Sequence, residues 1–420
     1  MKAHTTMKFL HTADLHLGQV MYQNYDRDDE HQHFFQQLDQ WCAQHKPDAL
    51  LVSGDIFDIP QPSAATRHTF NDYFVRLHNR YPAMTIVITA GNHDSASRIQ
   101  ADNVVWKLGN VTLVGRPPAS DCTSAPDGWQ DDYIVRLDGK GYIIALPYMI
   151  GSKQATIQAL LDYVAKENQG GLPVVIMGHM AVAGMDFMGH DFDIGHLQTL
   201  DPSELGTGYD YYALGHIHRP QTIGYLGDEK EEVSHYPAGV IRYSGSALHV
   251  SCDEKYPHSV SLVDIDRHGG DVQLTRLRID ELRHFYELPA NGPAQSYDEA
   301  LAAVLTFAQK SGRGYIRLRM DYNAELPSDF NQQIYDTLEP FDNEIRYNPK
   351  IIWENMPLQK EPTERLVFEV ADLQQMTNPM RFIEQTIDHY NGLTLDEIRE
   401  AFDEIETECL RIQEEGRAKK

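Results

Sequence analysis

The chain has 420 residues, of which 41% are hydrophobic and 23% are charged, so it is not a low-complexity or collagen-like protein. This length exceeds what one hydrophobic core usually serves, and we expect one large domain with one or two smaller ones. The formal net charge of −26 argues against binding nucleic acid through a basic surface of the chain itself, because such binding relies on Lys and Arg. A function on DNA would therefore need bound cations or a partner subunit.

Targeting and redox features are sparse. No apolar run approaches the roughly 18–20 residues of a membrane span, and the apolar stretch near the start is too short for a secretion signal. The cysteines lack the CxxC spacing of zinc sites, and we expect free thiols at Cys42, Cys122, Cys252 and Cys409. These features predict a cytoplasmic protein.

Residues 8–265 alternate short apolar runs with amphipathic helical stretches, which is the pattern of an α/β sheet domain. One predicted helix, residues 29–45, places Phe34, Leu38, Trp41 and Cys42 on one face, and a second helix spans residues 63–79. The predicted strands are residues 8–12, 49–53, 85–89, 142–146, 174–178, 212–214, 240–243 and 259–265.

A strand, helix, strand, helix, strand order between residues 284 and 353 predicts a small α+β domain. Its first helix is expected to begin at Ser296, with Glu299 in the reciprocal capping-box position. We therefore divide the chain into a first domain at residues 1–278, a second at 279–358, and a linker with C-terminal helices at 359–420.

The last predicted helix begins at a capping box formed by Thr394 and Glu397. Its apolar residues follow a 3, 4, 3, 4, 3 spacing, which is typical of a helix that packs along another helix. The spacing alone leaves open whether that helix belongs to this protein or to a partner. The residues are Leu395, Ile398, Phe402, Ile405, Cys409 and Ile412.

Five short motifs that follow predicted strands carry residues that bind divalent metals. They are DLH at 14–16, GD at 54–55, GNHD at 91–94, GH at 178–179 and GHIH at 215–218. Ligands of open α/β sheets bind beyond the carboxyl ends of the strands, so the five motifs can converge on one crevice. Any one of them alone would more often be a turn or a structural loop histidine, and the prediction depends on their combination.

The residue types in these motifs predict a two-metal hydrolytic site. Asp, His and an Asn carbonyl suit transition metals such as Mn, Fe or Zn. Seven ligands are too many for one ion, whereas two ions about 3.5–4 Å apart can share a carboxylate and clamp the attacking and leaving oxygens of a phosphate ester. The glycines before the ligands are expected to allow the sharp turns that aim them.

In this order, DLH, GD, GNHD, GH and GHIH resemble the five-block pattern of the calcineurin-like metallophosphoesterase family. The wider wording HTADLHLGQ, VSGDIFD, TAGNHDS and YYALGHIHRPQ resembles more narrowly a bacterial nuclease branch related to the eukaryotic double-strand-break repair nuclease. These blocks cover residues 8–250. The resemblance implies a two-sheet α/β sandwich with a small α+β capping domain and C-terminal helices.

The resemblance also implies the roles of individual residues. Asp55 would bridge the two metals. His93 would stabilise the phosphate or protonate the leaving oxygen, and Asp94 would orient His93. Archaeal relatives carry a second histidine three residues after the bridging Asp, where this chain has Asp58, which we expect to orient a ligand or a water molecule. The remaining ligands would be, for one metal and then for the other, Asp14, His16 and His218, and Asn92, His179 and His216.

The partners follow from the same resemblance: two manganese ions, DNA, an SMC-like ATPase bound by the C-terminal helices, and a homodimer within a heterotetramer. The chain has no GxxxxGK[ST] loop, so ATP would be bound by the partner. The expected function is ATP-linked double-strand exonuclease and single-strand or hairpin endonuclease activity in DNA repair and recombination. Two alternatives are a small-molecule phosphodiesterase or nucleotidase, and a non-catalytic scaffold for the ATPase.

Overall fold

The computed structural model describes residues 6–22, 25–119, 126–151, 154–186, 199–224, 233–310, 312–341 and 344–356. The helices in this part of the chain are α1 (Asp28–His45), α2 (Ala64–Arg80), α3 (Ala96–Trp106), α4 (Gln154–Glu167), α5 (Tyr297–Lys310) and α6 (Phe330–Leu338). The strands are β1 (Met7–Thr12), β2 (Val20–Met21), β3 (Tyr25–Asp26), β4 (Ala49–Ser53), β5 (Thr85–Thr89), β6 (Val111–Val114), β7 (Ile134–Leu137), β8 (Gly141–Ala145), β9 (Val174–His179), β10 (Tyr211–Gly215), β11 (Gln221–Thr222), β12 (Val233–Tyr236), β13 (Val240–Tyr243), β14 (Ser259–Ile265), β15 (Val272–Arg278), β16 (Phe285–Leu288), β17 (Gly314–Asp321) and β18 (Ile345–Glu354).

Two large sheets form the body of the protein. One has the strand order β12-β15-β14-β1-β4-β5-β6, and the other has the order β11-β13-β10-β9-β8-β7. The central strands β1, β4, β5 and β6 run parallel, as do β8, β9, β10 and β13. Their carboxyl ends therefore lie along one edge of each sheet, where the five motifs begin.

Side-chain alternation along the strands builds three apolar layers. Phe9 and Leu51 of the first sheet belong to one cluster with Val175 of the second sheet, and this cluster fills the space between the sheets. Leu10 and Leu50 point to the other face, where α1, α2 and α3 cover them. The helix α4 covers the outer face of the second sheet. Because both faces of each sheet are buried, the central strands are continuous apolar runs. The predicted two-sheet α/β sandwich is confirmed.

The eight predicted strands are all present, and those at 49–53, 85–89, 240–243 and 259–265 have the predicted bounds. The prediction missed the outer and short strands, among them β7 and β15, as well as the helices α3 and α4. In β15 the sequence VQLTRLR buries only Val272 and Leu274, so no apolar run marks it. Its charged residues belong to a strand next to the edge of the sheet.

A third sheet, with the parallel order β16-β17-β18, follows with α5 and α6 in the strand and helix order expected from the sequence. It has its own apolar cluster, which includes Phe307, Leu318 and Ile334. The capping box at α5 differs in detail from the prediction. Ser296 Oγ accepts from the amide of Glu299 at 3.3 Å, but the Glu299 carboxylate accepts from the amide of Gln295 instead of that of Ser296.

The chain divides into two compact units, Met1–Asn355 and Met356–Lys420. The first unit includes the third sheet, so this division does not separate the residues before and after 278. The domain boundary proposed at residue 278 stays a prediction. The linker and the helix with the 3, 4 spacing lie outside the described residues. No helix in the described part of the chain is long and apolar enough to cross a membrane.

Candidate metal centre

The predicted ligands follow five strands, β1, β4, β5, β9 and β10, and the chain turns sharply after several of them. Asp14, His16, Asp55 and His216 have φ values of 51°, 47°, 47° and 92°, in the left-handed region that costs a non-glycine residue of order 1–3 kcal/mol. Four predicted ligands therefore have strained backbones. Such strain persists where the surrounding structure and the function of a site hold it in place.

The first cluster consists of Asp14, His16 and His218, whose candidate ligand atoms lie within 4.8 Å of one another. All three side chains are buried. Nε2 of His16 has no hydrogen-bond partner among the described residues. Nδ1 of His218 lies 3.1 Å from Oε1 of Glu254, which leaves Nε2 as the nitrogen available to a metal. Buried ring nitrogens of this kind fit a metal ion.

The second cluster consists of Asp55, His179 and His216, again with candidate ligand atoms within 4.8 Å. Oδ1 of Asn92 lies 3.0 Å from Nε2 of His179 and 3.0 Å from Nδ1 of His216, so the amide oxygen points at the same place. Nδ1 of His179 donates to the carbonyl of Ser53 at 2.9 Å, and this turns Nε2 towards Asp55.

Asp55 connects the two clusters. Its Oδ2 lies 3.2 Å from Nε2 of His179 and 3.9 Å from Nε2 of His16. The structure thus brings together all seven predicted ligands and places Asp55 between the two groups assigned from the resemblance. The assignment of each residue as a ligand stays a prediction.

Charge at the centre is balanced between buried groups. Burial opposes ionisation of Asp55, but His179 and His16 outweigh it and hold the pKa of this carboxyl well below its usual range. Burial lowers the pKa of His179, yet Asp55 and Asp14 overcome this and raise it to about 9. Burial raises the pKa of Asp14. A divalent cation would replace the proton on His179, so metal binding here releases a proton.

His93 lies beside the first cluster, with its ring centroid 5.0 Å from that of His16. Its Nδ1 donates to the carbonyl of Asp58 at 2.7 Å, so this backbone carbonyl orients the ring. The expectation that Asp94 orients His93 is corrected by this geometry. The carboxylate of Asp58 lies 3.4 Å from Nδ1 of His16, and its expected role in orienting a ligand or a water molecule stays a prediction.

The carboxylate of Asp94 binds backbone amides instead of the ring of His93. Its carboxylate accepts hydrogen bonds from the amides of Ile56, Phe57 and Gly91 at 2.8–3.1 Å. These amides belong to the loops that carry Asp55 and Asn92. Burial, together with the charge of Asp55, raises the pKa of Asp94 to about 6. Asp94 therefore holds two ligand loops together.

The glycines of the motifs are needed mainly because a side chain at these positions would clash with neighbouring atoms. Gly54 has the positive φ that was expected, 85°, and a Cβ there would lie 2.1 Å from Nδ1 of His179. At Gly215 the backbone is ordinary, but a Cβ would lie 1.9 Å from the carbonyl oxygen of Ser53. The expected reason, backbone freedom, thus applies to Gly54 and not to Gly215.

Glu254 was not predicted from the sequence. It is 3% exposed, and its two oxygens face His218 and His258 at 3.1 and 3.2 Å. Burial opposes its ionisation, but the two histidines hold its pKa well below the usual range. No predicted strand end precedes Glu254, and a carboxylate in so acidic a chain carries little signal on its own.

Comparison with known proteins agrees with this centre. The calcineurin-like phosphoesterase model matches residues 7–220. The chain belongs to the calcineurin-like phosphoesterase family. Within the family it is 30% identical to the SbcD subunit of the SbcCD nuclease of Rhodobacter capsulatus, over 71% of this chain and 75% of that protein. It is also 30% identical to the SbcD subunit of Escherichia coli, over 61% of this chain and 65% of that protein, slightly less than two thirds of its length.

A more distant relative is the DNA double-strand break repair protein Mre11 of Methanocaldococcus jannaschii, 25% identical over 70% of this chain and 72% of that protein. These matches place the chain in the SbcD group, and it is a metal-dependent phosphodiesterase of the nuclease type. The Asp and His clusters, most of whose side chains are buried, agree with binding of divalent metal in this calcineurin-like phosphoesterase.

Proposed function

We propose that the chain is a two-metal DNA nuclease that uses manganese and acts in DNA repair with an SMC-like ATPase. The observation that carries this proposal is the pair of largely buried donor clusters joined by Asp55. Two divalent cations at such a site supply Lewis-acid stabilisation of the attacking and leaving oxygens of a phosphodiester. The relatives named as a subunit of the SbcCD nuclease and as the repair protein Mre11 support DNA as the substrate.

In this proposal the protein's own residues hold and aim the reacting groups. Asp14, His16 and His218 hold one cation, and Asn92, His179 and His216 hold the other, with Asp55 between them. His93 is 5.0 Å from His16, ring centroid to ring centroid, and is half-exposed, so its Nε2 can reach a phosphate bound at the clusters. Because Nδ1 donates to Asp58, Nε2 is the nitrogen that can accept or supply a proton at the leaving oxygen.

The partner contacts belong to the same proposal. The net charge of −26 leaves a basic DNA-binding surface to the ATPase, which the C-terminal helices would bind. A homodimer would cover apolar side chains of the α3 region, since Val104, Val105 and Leu108 are 76%, 70% and 89% exposed. We place the complex in the cytoplasm.

The test is cleavage of a labelled, hairpin-ended DNA duplex by the purified chain in Mn²⁺, with and without the ATPase. We expect His93→Ala to lose cleavage by about 100-fold or more, since general acid–base catalysis contributes 10²–10⁴-fold, while Mn²⁺ binding stays intact. His68→Ala, which changes an exposed histidine of α2, is the matched control and should cleave normally. Wild-type cleavage should become ATP-dependent when the ATPase is added.

Small phosphate diesters separate the alternatives in the same assay. Rapid hydrolysis of bis(p-nitrophenyl) phosphate with DNA left intact would favour the small-molecule phosphodiesterase. A wild-type chain that binds no Mn²⁺ and cleaves neither substrate would favour the scaffold.

A further inference from the structure

A closed ring of polar contacts surrounds His218. Its Nδ1 lies 3.1 Å from Oε1 of Glu254, and Oε2 of the same carboxylate lies 3.2 Å from Nε2 of His258. Nδ1 of His258 lies 2.9 Å from the carbonyl of Ser246, whose own amide donates to the carbonyl of His218 at 3.0 Å. The path from the ring of His218 thus returns to its backbone. Both the side chain and the main chain of this residue are fixed.

The contact with Glu254 selects one form of the imidazole. An ionised carboxylate only accepts hydrogen bonds, so Nδ1 of His218 carries the proton. In the neutral ring Nε2 is then the nitrogen with the free electron pair, which is the form that binds a metal ion. Glu254 is itself held by the amide of Val250, which donates to Oε2 at 3.2 Å.

The other cluster is built differently. The ring of His179 is oriented by a backbone carbonyl, that of Ser53, at 2.9 Å from Nδ1. A carboxylate partner makes an imidazole more basic than a carbonyl partner does, and removing such a partner typically costs 10–100-fold in metal affinity. The two clusters therefore differ in what supports their histidines.

We propose that Glu254 is a positioning residue of the first cluster, which holds His218 in the Nδ1-protonated form and strengthens metal binding there without contacting substrate. The inference rests on the proposed function to the extent that His218 is a metal ligand. Loss of the Glu254 carboxylate should weaken metal binding at the cluster of Asp14, His16 and His218. The cluster around Asp55 and His179 should still bind a metal ion.

Two measurements on the full chain test this role. The first is the ¹⁵N spectrum of the histidines in metal-free protein, which reports the tautomer of His218 directly. The second is titration calorimetry with Mn²⁺. For Glu254→Ala we expect loss of the Nδ1-protonated signal of His218 and a fall of about 10–100-fold in affinity for one of two ions.

Conservative variants separate positioning from folding. Glu254→Gln keeps the shape and an oxygen that accepts from Nδ1, so the tautomer should persist while affinity for one ion falls by about 10-fold. Glu254→Asp keeps the charge, but its side chain is shorter by one methylene, so the carboxylate lies farther from His218. The signal of the Nδ1-protonated form of His218 should therefore weaken. The matched control is Glu281→Gln, because the carboxylate of Glu281 pairs with His249 and His284. It should change the signals of those two histidines and leave the His218 signal and the Mn²⁺ affinity as in wild type.

The outcomes distinguish this inference from the proposed function. Unchanged His218 signals and unchanged Mn²⁺ affinity in Glu254→Gln and Glu254→Asp would overturn the positioning role, even if Glu254→Ala does not fold. A wild-type chain that binds no Mn²⁺ would overturn the proposed function instead, and the tautomer comparison in metal-free protein would still decide the role of Glu254.

Discussion

The backbone amide of His93 donates a 2.9 Å hydrogen bond to Oδ1 of Asp55. One oxygen of the predicted bridging carboxylate is thus fixed by the loop that carries His93, while the other lies 3.2 Å from Nε2 of His179. The loop can approach so closely because residue 91 is a glycine. A Cβ at Gly91 would lie 2.1 Å from Oδ1 of Asp55.

Gly91→Ala should therefore displace Asp55 and disable both clusters. We expect Mn²⁺-dependent DNA cleavage to fall by about 100-fold, the effect that a misplacement of about 1 Å commonly has on catalysis. Mn²⁺ affinity, measured by titration calorimetry, should fall as well. Gly170→Ala is the control, because a Cβ there meets nothing closer than Leu172 Cγ at 3.8 Å. Normal Mn²⁺ binding by Gly91→Ala would contradict the argument.

Much of this centre could be predicted because its residues follow apolar strands. Asp55 comes directly after β4, and His179 ends β9, so strand pattern and motif point to the same place. Glu254 lies in a loop 36 residues after His218, and their contact exists only because the chain folds back through β12 and β13 between them. Nothing in the sequence near either residue indicates such a contact. The role of Asp94 was mistaken for a similar reason, since its neighbour in sequence, His93, is not its hydrogen-bond partner.

Asp94→Ala should lower the free energy of unfolding, because it leaves the amides of Ile56, Phe57 and Gly91 without their acceptor. Each buried group left unsatisfied costs about 1–3 kcal/mol, and partial access of water leads us to expect a total of about 2–5 kcal/mol. Urea unfolding in the presence of a chelator measures this without a metal contribution. Asp253→Ala, which changes an exposed carboxylate, provides the comparison and should cost less than about 1 kcal/mol. Equal stability of Asp94→Ala and wild type would show that Asp94 does not hold the two ligand loops together.

Glu30 of α1 should be a strong determinant of stability. Its buried carboxylate accepts from the hydroxyl of Tyr315 at 2.6 Å and pairs with Arg346 and Arg27 at 3.0 and 2.6 Å. Removing one member of a buried ionic cluster leaves the others uncompensated and costs about 3–5 kcal/mol. We expect this loss for Glu30→Ala in urea unfolding.

The neighbouring residue provides a matched control for Glu30. Asp29 pairs with Arg283 at 2.7 Å, but its side chain is 47% exposed. Asp29→Ala should therefore cost less than Glu30→Ala, because water screens the half-exposed carboxylate of Asp29 although Arg283 is buried. Equal losses for the two variants would show that burial of Glu30 is not what makes its contacts important.

His11 should make folding stability depend on pH. Burial, with a contribution from Arg242, lowers its pKa to about 3, whereas an unfolded histidine titrates near 6.5. Between these values the unfolded chain binds a proton that the folded chain does not, so this contribution to stability is present above about pH 6.5 and is lost as the pH falls towards 3. From pH 7 to pH 5 the loss of stability from this one residue is about 2 kcal/mol.

Urea unfolding of His11→Gln in the presence of a chelator tests this contribution. The difference in the free energy of unfolding between pH 7 and pH 5 should be smaller than in wild type by that amount. His235→Gln, which changes an exposed histidine, should keep the wild-type difference. A His11→Gln variant with the full wild-type pH dependence would show that the pKa of His11 is the same in the folded and unfolded chains, and would contradict the argument.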